Sequence, residues 1–137
     1  MMEAPVQLAR VLIVDDEVGL RDMLSFSLTD RGYSVMSASN GDEAISLVSQ
    51  HDFDLVVCDI MMPGKNGVEV LAAVKRMKPR TQVIMATGYA TMETAAQSIE
   101  LGAFDYIAKP YGIDQLCGIF EKALQNPTRR ILGGDFS

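Results

Sequence analysis

The chain has 137 residues, of which 48% are hydrophobic and 22% charged, and carries a net charge of −6. That length suits one domain around one core, and the apolar and charged fractions are those of a globular protein. The acidic balance excludes a broad basic footprint for nucleic acid and a polybasic patch for membranes.

Apolar runs alternate along the chain with stretches of helical periodicity. Val11-Leu12-Ile13-Val14 reads as a first strand, ended by Asp15-Asp16. A helix is predicted next, with Leu20, Met23, Leu24 and Leu28 on its inner face and Gly32 beyond its end. Tyr33 to Ala38 alternates as a second strand. Asn40-Gly41-Asp42 punctuates the chain before a second helix marked by Ala44, Ile45, Leu47 and Val48. Leu55–Cys58 is the third strand, closed by Asp59 and by the turn signals Pro63-Gly64 and Asn66-Gly67. Val68, Leu71, Val74 and Met77 give a third helix, stopped by Pro79. Val83–Ala86 is a fourth strand, ended by Thr87. Met92, Ala95, Ala96 and Ile99 predict a fourth helix with a weak face, closed by Gly102. Tyr106–Ala108 is a fifth strand, ended by Lys109. Ile113, Leu116, Cys117, Phe120 and Leu124 mark a fifth helix, which Pro127 should stop.

Each apolar run is about four residues long, far short of the ~18 that suggest a membrane span. The first ten residues include Glu3, Pro5 and Gln7 and have no basic start, so no signal peptide is expected. Cys58 and Cys117 sit in apolar segments and read as buried small hydrophobes rather than a disulfide or metal clip. A cytoplasmic protein is expected. Residues 1–7 and 127–137 are expected to be flexible ends, leaving 8–126 as the folded domain.

Five βα units imply a parallel sheet with helices on both faces. Right-handed crossovers leave few topologies. The expected fold is a flavodoxin-like (βα)5 sandwich with strand order 2-1-3-4-5. Strands 1 and 3 then lie side by side at the switch point, where ligands collect beyond the strand ends. Asp15, Asp16 and Asp59 would meet in one crevice there.

Clustered carboxylates repel one another unless a cation joins them. Mg²⁺ suits oxygen donors and binds one or two carboxylates plus a phosphate while keeping several waters. Asp59 is then the candidate phosphate acceptor, because aspartyl phosphates are a known covalent form. Phosphoryl transfer needs mainly positioning and charge neutralisation, which Lys109 and the Thr87 hydroxyl would assist. Taken singly these residues are ordinary: an acid after a strand often caps a helix, Thr87 suits a local turn, and Lys109 suits a snorkelling strand end. Asp59 is less ordinary, because a bare carboxylate beside Cys58 is costly without a partner. His51 has no second histidine with which to build a zinc site or a triad. Co-occurrence at four strand ends favours the phosphate reading.

The motifs Val11-Leu12-Ile13-Val14-Asp15-Asp16-Glu17, Asp59-Ile60-Met61-Met62-Pro63-Gly64-Lys65-Asn66-Gly67, Thr87-Gly88 and Lys109-Pro110 resemble those of response regulator receiver domains of two-component signalling, over residues 8–126. The resemblance implies that Asp59 accepts a phosphoryl group from a phosphohistidine on a sensor histidine kinase. It implies Asp16, Asp59 and the main-chain carbonyl of Met61 as Mg²⁺ ligands, with Asp15 reaching the metal through water. It implies Thr87 and Lys109 as the phosphate-sensing pair, Tyr106 as the aromatic switch, and a cis bond between Lys109 and Pro110. Phosphorylation would remodel the surface of helix 4, strand 5 and helix 5, where such domains commonly form homodimers.

Thr87-Gly88-Tyr89-Ala90-Thr91-Met92-Glu93-Thr94-Ala95 and Gly102-Ala103-Phe104-Asp105-Tyr106 resemble receivers of nitrogen-regulation-type enhancer-binding activators. Those carry an ATPase and a DNA-binding domain as output, for which the stretch after Pro127 is too short. The chain is expected to be either a receiver cut from a larger regulator or a stand-alone one. It is not expected to be a turnover enzyme. An aspartyl-phosphate phosphatase of the haloacid dehalogenase type would need an acid two residues after Asp59, where Met61 stands. A phosphorylation-independent interaction module would not need Asp16, Asp59, Thr87 and Lys109 intact.

Overall fold

The computed structural model describes residues 9–125. The two expected flexible ends, the outermost residues of the expected domain and the Pro127 helix stop lie outside the described residues. Five strands, β1 (Arg10–Val14), β2 (Ser34–Ala38), β3 (Leu55–Asp59), β4 (Gln82–Thr87) and β5 (Asp105–Ala108), alternate with five helices. These are α1 (Val18–Asp30), α2 (Gly41–Gln50), α3 (Gly67–Met77), α4 (Met92–Glu100) and α5 (Ile113–Gln125). The strands are parallel, in the order β2-β1-β3-β4-β5 expected from the alternation. No described helix is long and apolar enough to cross a membrane.

The short apolar runs become central strands because both faces of a parallel sheet are covered. Side chains alternate between the faces. Leu12, Val14, Val56, Cys58, Val83 and Met85 point to one side, against Ala44 and Val48 of α2 and Val70, Leu71 and Val74 of α3. Val11, Ile13, Leu55, Val57, Ile84 and Ala86 point to the other, against Leu24 and Leu28 of α1 and Leu116, Cys117 and Phe120 of α5.

Local chemistry sets the helix starts. Asn40 accepts from the Glu43 amide at 2.8 Å at the head of α2. Asn66 and Glu69 form a reciprocal capping box at α3, and Thr91 and Thr94 do so at α4. Such caps satisfy orphan amides of the first turn. Glu17 opens α1 without a side-chain cap; the residues before it are committed to the acid crevice instead.

One boundary and two expectations about faces need correction. Tyr33 is buried but precedes β2, which starts at Ser34. Met23 is 48% exposed, because the inner stripe of α1 runs through Leu24 and Leu28 and leaves Met23 on its flank. On α4 the expected inner face is mostly outward: Met92 is 90% and Ile99 53% exposed, and Ala96 is exposed too. Ser98 is the residue α4 buries. Its hydroxyl donates to the Thr94 carbonyl at 2.8 Å, which removes the cost of an unpaired buried hydroxyl.

Candidate functional site

Strand register brings the site together. Val14 pairs with Cys58, so Asp15 and Asp59 are the next residues on adjacent strands. Asp59 pairs with Ala86, one residue before Thr87. Thr87 pairs with Ala108, one residue before Lys109. A polar residue ending each run therefore lands on the same C-terminal edge of the sheet.

Asp15, Asp16 and Asp59 each place a carboxylate oxygen within 4.8 Å of the other two. Asp15 and Asp59 are buried and Asp16 is exposed at the rim. The Lys109 ammonium bridges the buried pair, donating to Asp15 Oδ2 at 2.7 Å and Asp59 Oδ2 at 3.2 Å. The other Asp59 oxygen, Oδ1, accepts from the Met61 amide at 3.2 Å. The Thr87 side chain is fully buried, and its hydroxyl accepts from the Tyr89 amide at 3.1 Å. That is the local turn a threonine favours in isolation. The Lys109 amide donates to the Thr87 carbonyl at 2.9 Å, and the Lys109–Pro110 bond is cis.

Burial pushes the Asp59 carboxyl above the ordinary carboxylate range; Lys109 pulls against it, Asp15 adds to it, and the Met61 amide also opposes it. Burial works against the Lys109 charge, but the hydrogen bond and charge of Asp15, followed by those of Asp59, outweigh it and hold the ammonium above its usual value. One ammonium therefore serves two buried acids, with a third acid beside them. Three hard oxygen donors in excess of the local positive charge fit a divalent cation of the Mg²⁺ class. Cys58 lies behind Asp59, and burial pushes its thiol so far up that it stays protonated and inert.

Gly67 fixes the depth of the loop after Asp59. A Cβ on Gly67 would lie 2.2 Å from the Asp59 carbonyl oxygen and 2.7 Å from the Ile60 Cα. Its amide donates to the Ile60 carbonyl at 2.9 Å. The head of α3 thus rests directly on the main chain of the proposed acceptor. Gly64 serves differently: it takes φ +78° in open space, a conformation glycine adopts without strain. The Met61 side chain is 56% exposed at the mouth.

Tyr106 is half-buried on β5, and its hydroxyl lies 2.6 Å from the Thr94 hydroxyl. Thr94 is also the third residue of the α4 cap, so the ring is tied to the start of that helix. Sequence reasoning missed Thr94, since a bond between distant elements leaves no local pattern. It also missed Tyr111, which lines a crevice of about 460 Å³ with Leu20, Met23, Gly88, Lys109 and Pro110. Burial, opposed by Lys109 and reinforced by Asp15 and Asp59, pushes the Tyr111 hydroxyl up to about 12.

A 2-1-3-4-5 sheet with this acid cluster at its switch point defines the receiver class of signalling domains. Residues 11–121 match the response regulator receiver domain family, and the chain belongs to it. It is the receiver domain of a two-component response regulator. Regulatory protein AtoC of Escherichia coli (strain K12) is 41% identical over 116 residues, which are 85% of this chain and 25% of that protein. The DNA-binding transcriptional regulator NtrC of Rhizobium meliloti (strain 1021) is 35% identical over 122 residues, 89% of this chain and 25% of its own length. The chain spans about a quarter of the length of both. The crystal structure of a CheY-like receiver domain protein from Methanospirillum hungatei JF-1 matches with a TM-score of 0.86 at 32% identity, covering 90% of this chain and 98% of that one.

Proposed function

We propose that Asp59 is the phosphoacceptor of this receiver, that a sensor histidine kinase is the donor, and that Mg²⁺ is the cofactor. The observation that carries the reading is the shared crevice. Asp59 is buried beside Asp15 and Asp16, and a single ammonium bridges two of the three acids. In the transfer, the N–P bond of a phosphohistidine breaks as a carboxylate O–P bond forms on Asp59, and the imidazole nitrogen keeps the electron pair. Asp15, Asp16, Asp59 and the Met61 carbonyl would hold the cation, which supplies neutralisation of phosphoryl oxygens. Lys109 exchanges part of its contact with the acids for the phosphoryl group. The Thr87 hydroxyl, now turned to the Tyr89 amide, becomes a donor to it.

Phosphorylation adds charge and strong acceptor oxygens at Asp59. Moving Thr87 shifts the loop that leads into α4, and Tyr106, tied to Thr94, shifts with it. The α4–β5–α5 surface is thereby biased between two arrangements. The outward Met92, Ile99 and Leu101 on and beside α4 support its use as a homodimer surface. The output is a domain in cis, as the length of the relatives suggests, or a partner protein. The domain works in the cytoplasm and is written by another enzyme rather than turning over a substrate of its own.

The test is acetyl phosphate labelling in Mg²⁺. Wild type should be labelled and Asp59→Asn should not, with both folded by circular dichroism. Full labelling of Asp59→Asn would move the acceptor elsewhere.

A further inference from the structure

Asp16 differs from the other two acids of the cluster. Asp15 and Asp59 are buried and bound by Lys109. Asp16 is exposed, and among the described residues no hydrogen bond or ion pair holds its carboxylate. Its main chain therefore sets where its side chain starts, and with it the positions its carboxylate can reach. The peptide that precedes it joins Asp15 to Asp16, and the carbonyl of that peptide accepts a bond from Arg21 Nη1 at 2.7 Å. Because the peptide is planar, fixing this oxygen fixes the direction in which the Asp16 amide and Cα leave it.

Two other bonds restrain the turn, one before that peptide and one that spans Asp16 after it. The Asp15 amide donates to the Ala38 carbonyl at 3.1 Å. The Asp15 Oδ1 atom accepts from the Glu17 amide at 2.9 Å. Glu17, at the head of α1, makes no side-chain capping bond. Arg21 is thus the side chain, among the described residues, that reaches back from α1 to hold the acid-bearing turn.

We propose that Arg21 is a positioning residue for a divalent cation: its bond to the Asp15 carbonyl aims the Asp16 carboxylate into the cluster. The inference rests on the cation reading above. Outer residues that orient metal ligands are worth about tenfold or more in metal affinity. The guanidinium charge works in the opposite direction, since a positive group near the cluster repels a cation. Removing Arg21 therefore separates the two effects by sign.

The experiment is an Mg²⁺ titration of the folded protein, read from amide shifts of residues 15–17 and 61 by nuclear magnetic resonance. Arg21→Met keeps the length of the stem without donor or charge, and its Mg²⁺ midpoint should rise about tenfold. Arg21→Lys keeps a donor and should stay within about threefold of wild type on the same grounds. Acetyl phosphate labelling of Arg21→Met should be slow at low Mg²⁺ and recover at saturating Mg²⁺. A residue that only braces the fold would lower thermal stability without moving the midpoint. If Arg21→Met does not fold, Arg21→Gln, too short to span the same distance, must show the raised midpoint. A midpoint at or below that of wild type in the folded variant overturns the proposal. Should wild type itself bind no Mg²⁺, the cation reading falls; should wild type bind and the variant match it, the role of Arg21 alone falls.

Discussion

Replacing Gly67 by Ala tests how closely the acceptor loop is held. The new Cβ would stand 2.2 Å from the Asp59 carbonyl oxygen, where ordinary contact begins at 3.4 Å, so the backbone of Asp59–Ile60 or the head of α3 must retreat by about 1.2 Å. The obstacle is the end of a central strand buried along its whole length and cannot swing aside as a side chain would. Overpacking of this kind costs about 1–3 kcal/mol. The gain in helix propensity from glycine to alanine offsets at most about 1 kcal/mol. Because the obstacle is backbone, the upper end of that range applies, and a net loss of about 2 kcal/mol, at a urea slope of about 2 kcal/mol/M, lowers the midpoint by about 1 M. The chemical effect is larger, because a misplacement of about 1 Å at a reacting centre costs about a hundredfold in rate. Urea unfolding followed by circular dichroism and the initial rate of acetyl phosphate labelling at saturating Mg²⁺ measure the two quantities. Gly118→Ala in α5 is the control: nothing lies within 4 Å of its Cβ, so it should gain up to about 1 kcal/mol and label normally. A Gly67→Ala protein with wild-type stability and wild-type labelling would refute the close packing of α3 on Asp59.

Burial raises the Asp59 carboxyl in the fold, so the folded state binds a proton more tightly than the unfolded chain. Stability then falls as pH rises from the unfolded carboxylate range through the raised value. Without divalent cations, Asp59→Asn should unfold at higher urea than wild type at pH 7, and the gap should close on acidification; a gap constant with pH would contradict the shift. Tyr106→Phe removes the bond to Thr94 and costs about 1 kcal/mol locally, so amide exchange in α4 should quicken about fivefold while labelling persists. Thr94→Val should have the same effect, and the double variant little more; loss of labelling would instead put Tyr106 in the chemistry.

Much of the fold is legible because buried parallel strands read as apolar runs and each run ends at its first polar residue. That same feature exposes Asp15, Asp59, Thr87 and Lys109, since register delivers successive strand ends to one edge. The two glycines after Asp59 are visible as punctuation, but their roles separate only in the fold, Gly64 supplying a positive φ and Gly67 a close approach. Faces are less legible. Met23, Met92 and Ile99 have the spacing of a core stripe yet point outward, because apolarity alone does not separate a core face from a docking face. Ser98 is hidden for the converse reason, a polar residue whose hydroxyl is satisfied within its own helix. Arg21 leaves no trace because its partner is a main-chain carbonyl, which every residue possesses. Thr94 is hidden because its partner Tyr106 arrives from β5, twelve residues along the chain.

The central claim is that the acid crevice makes Asp59 the site of a cation-dependent phosphoryl transfer. The direct measurement is mass spectrometry of the wild-type protein after acetyl phosphate treatment with and without Mg²⁺, with the modified residue located by borohydride reduction and peptide mapping. One phosphoryl group on Asp59, formed with Mg²⁺ and absent when the metal is chelated, is the predicted result. A phosphoryl group on another residue, or one on Asp59 that forms equally well without a divalent cation, would contradict it.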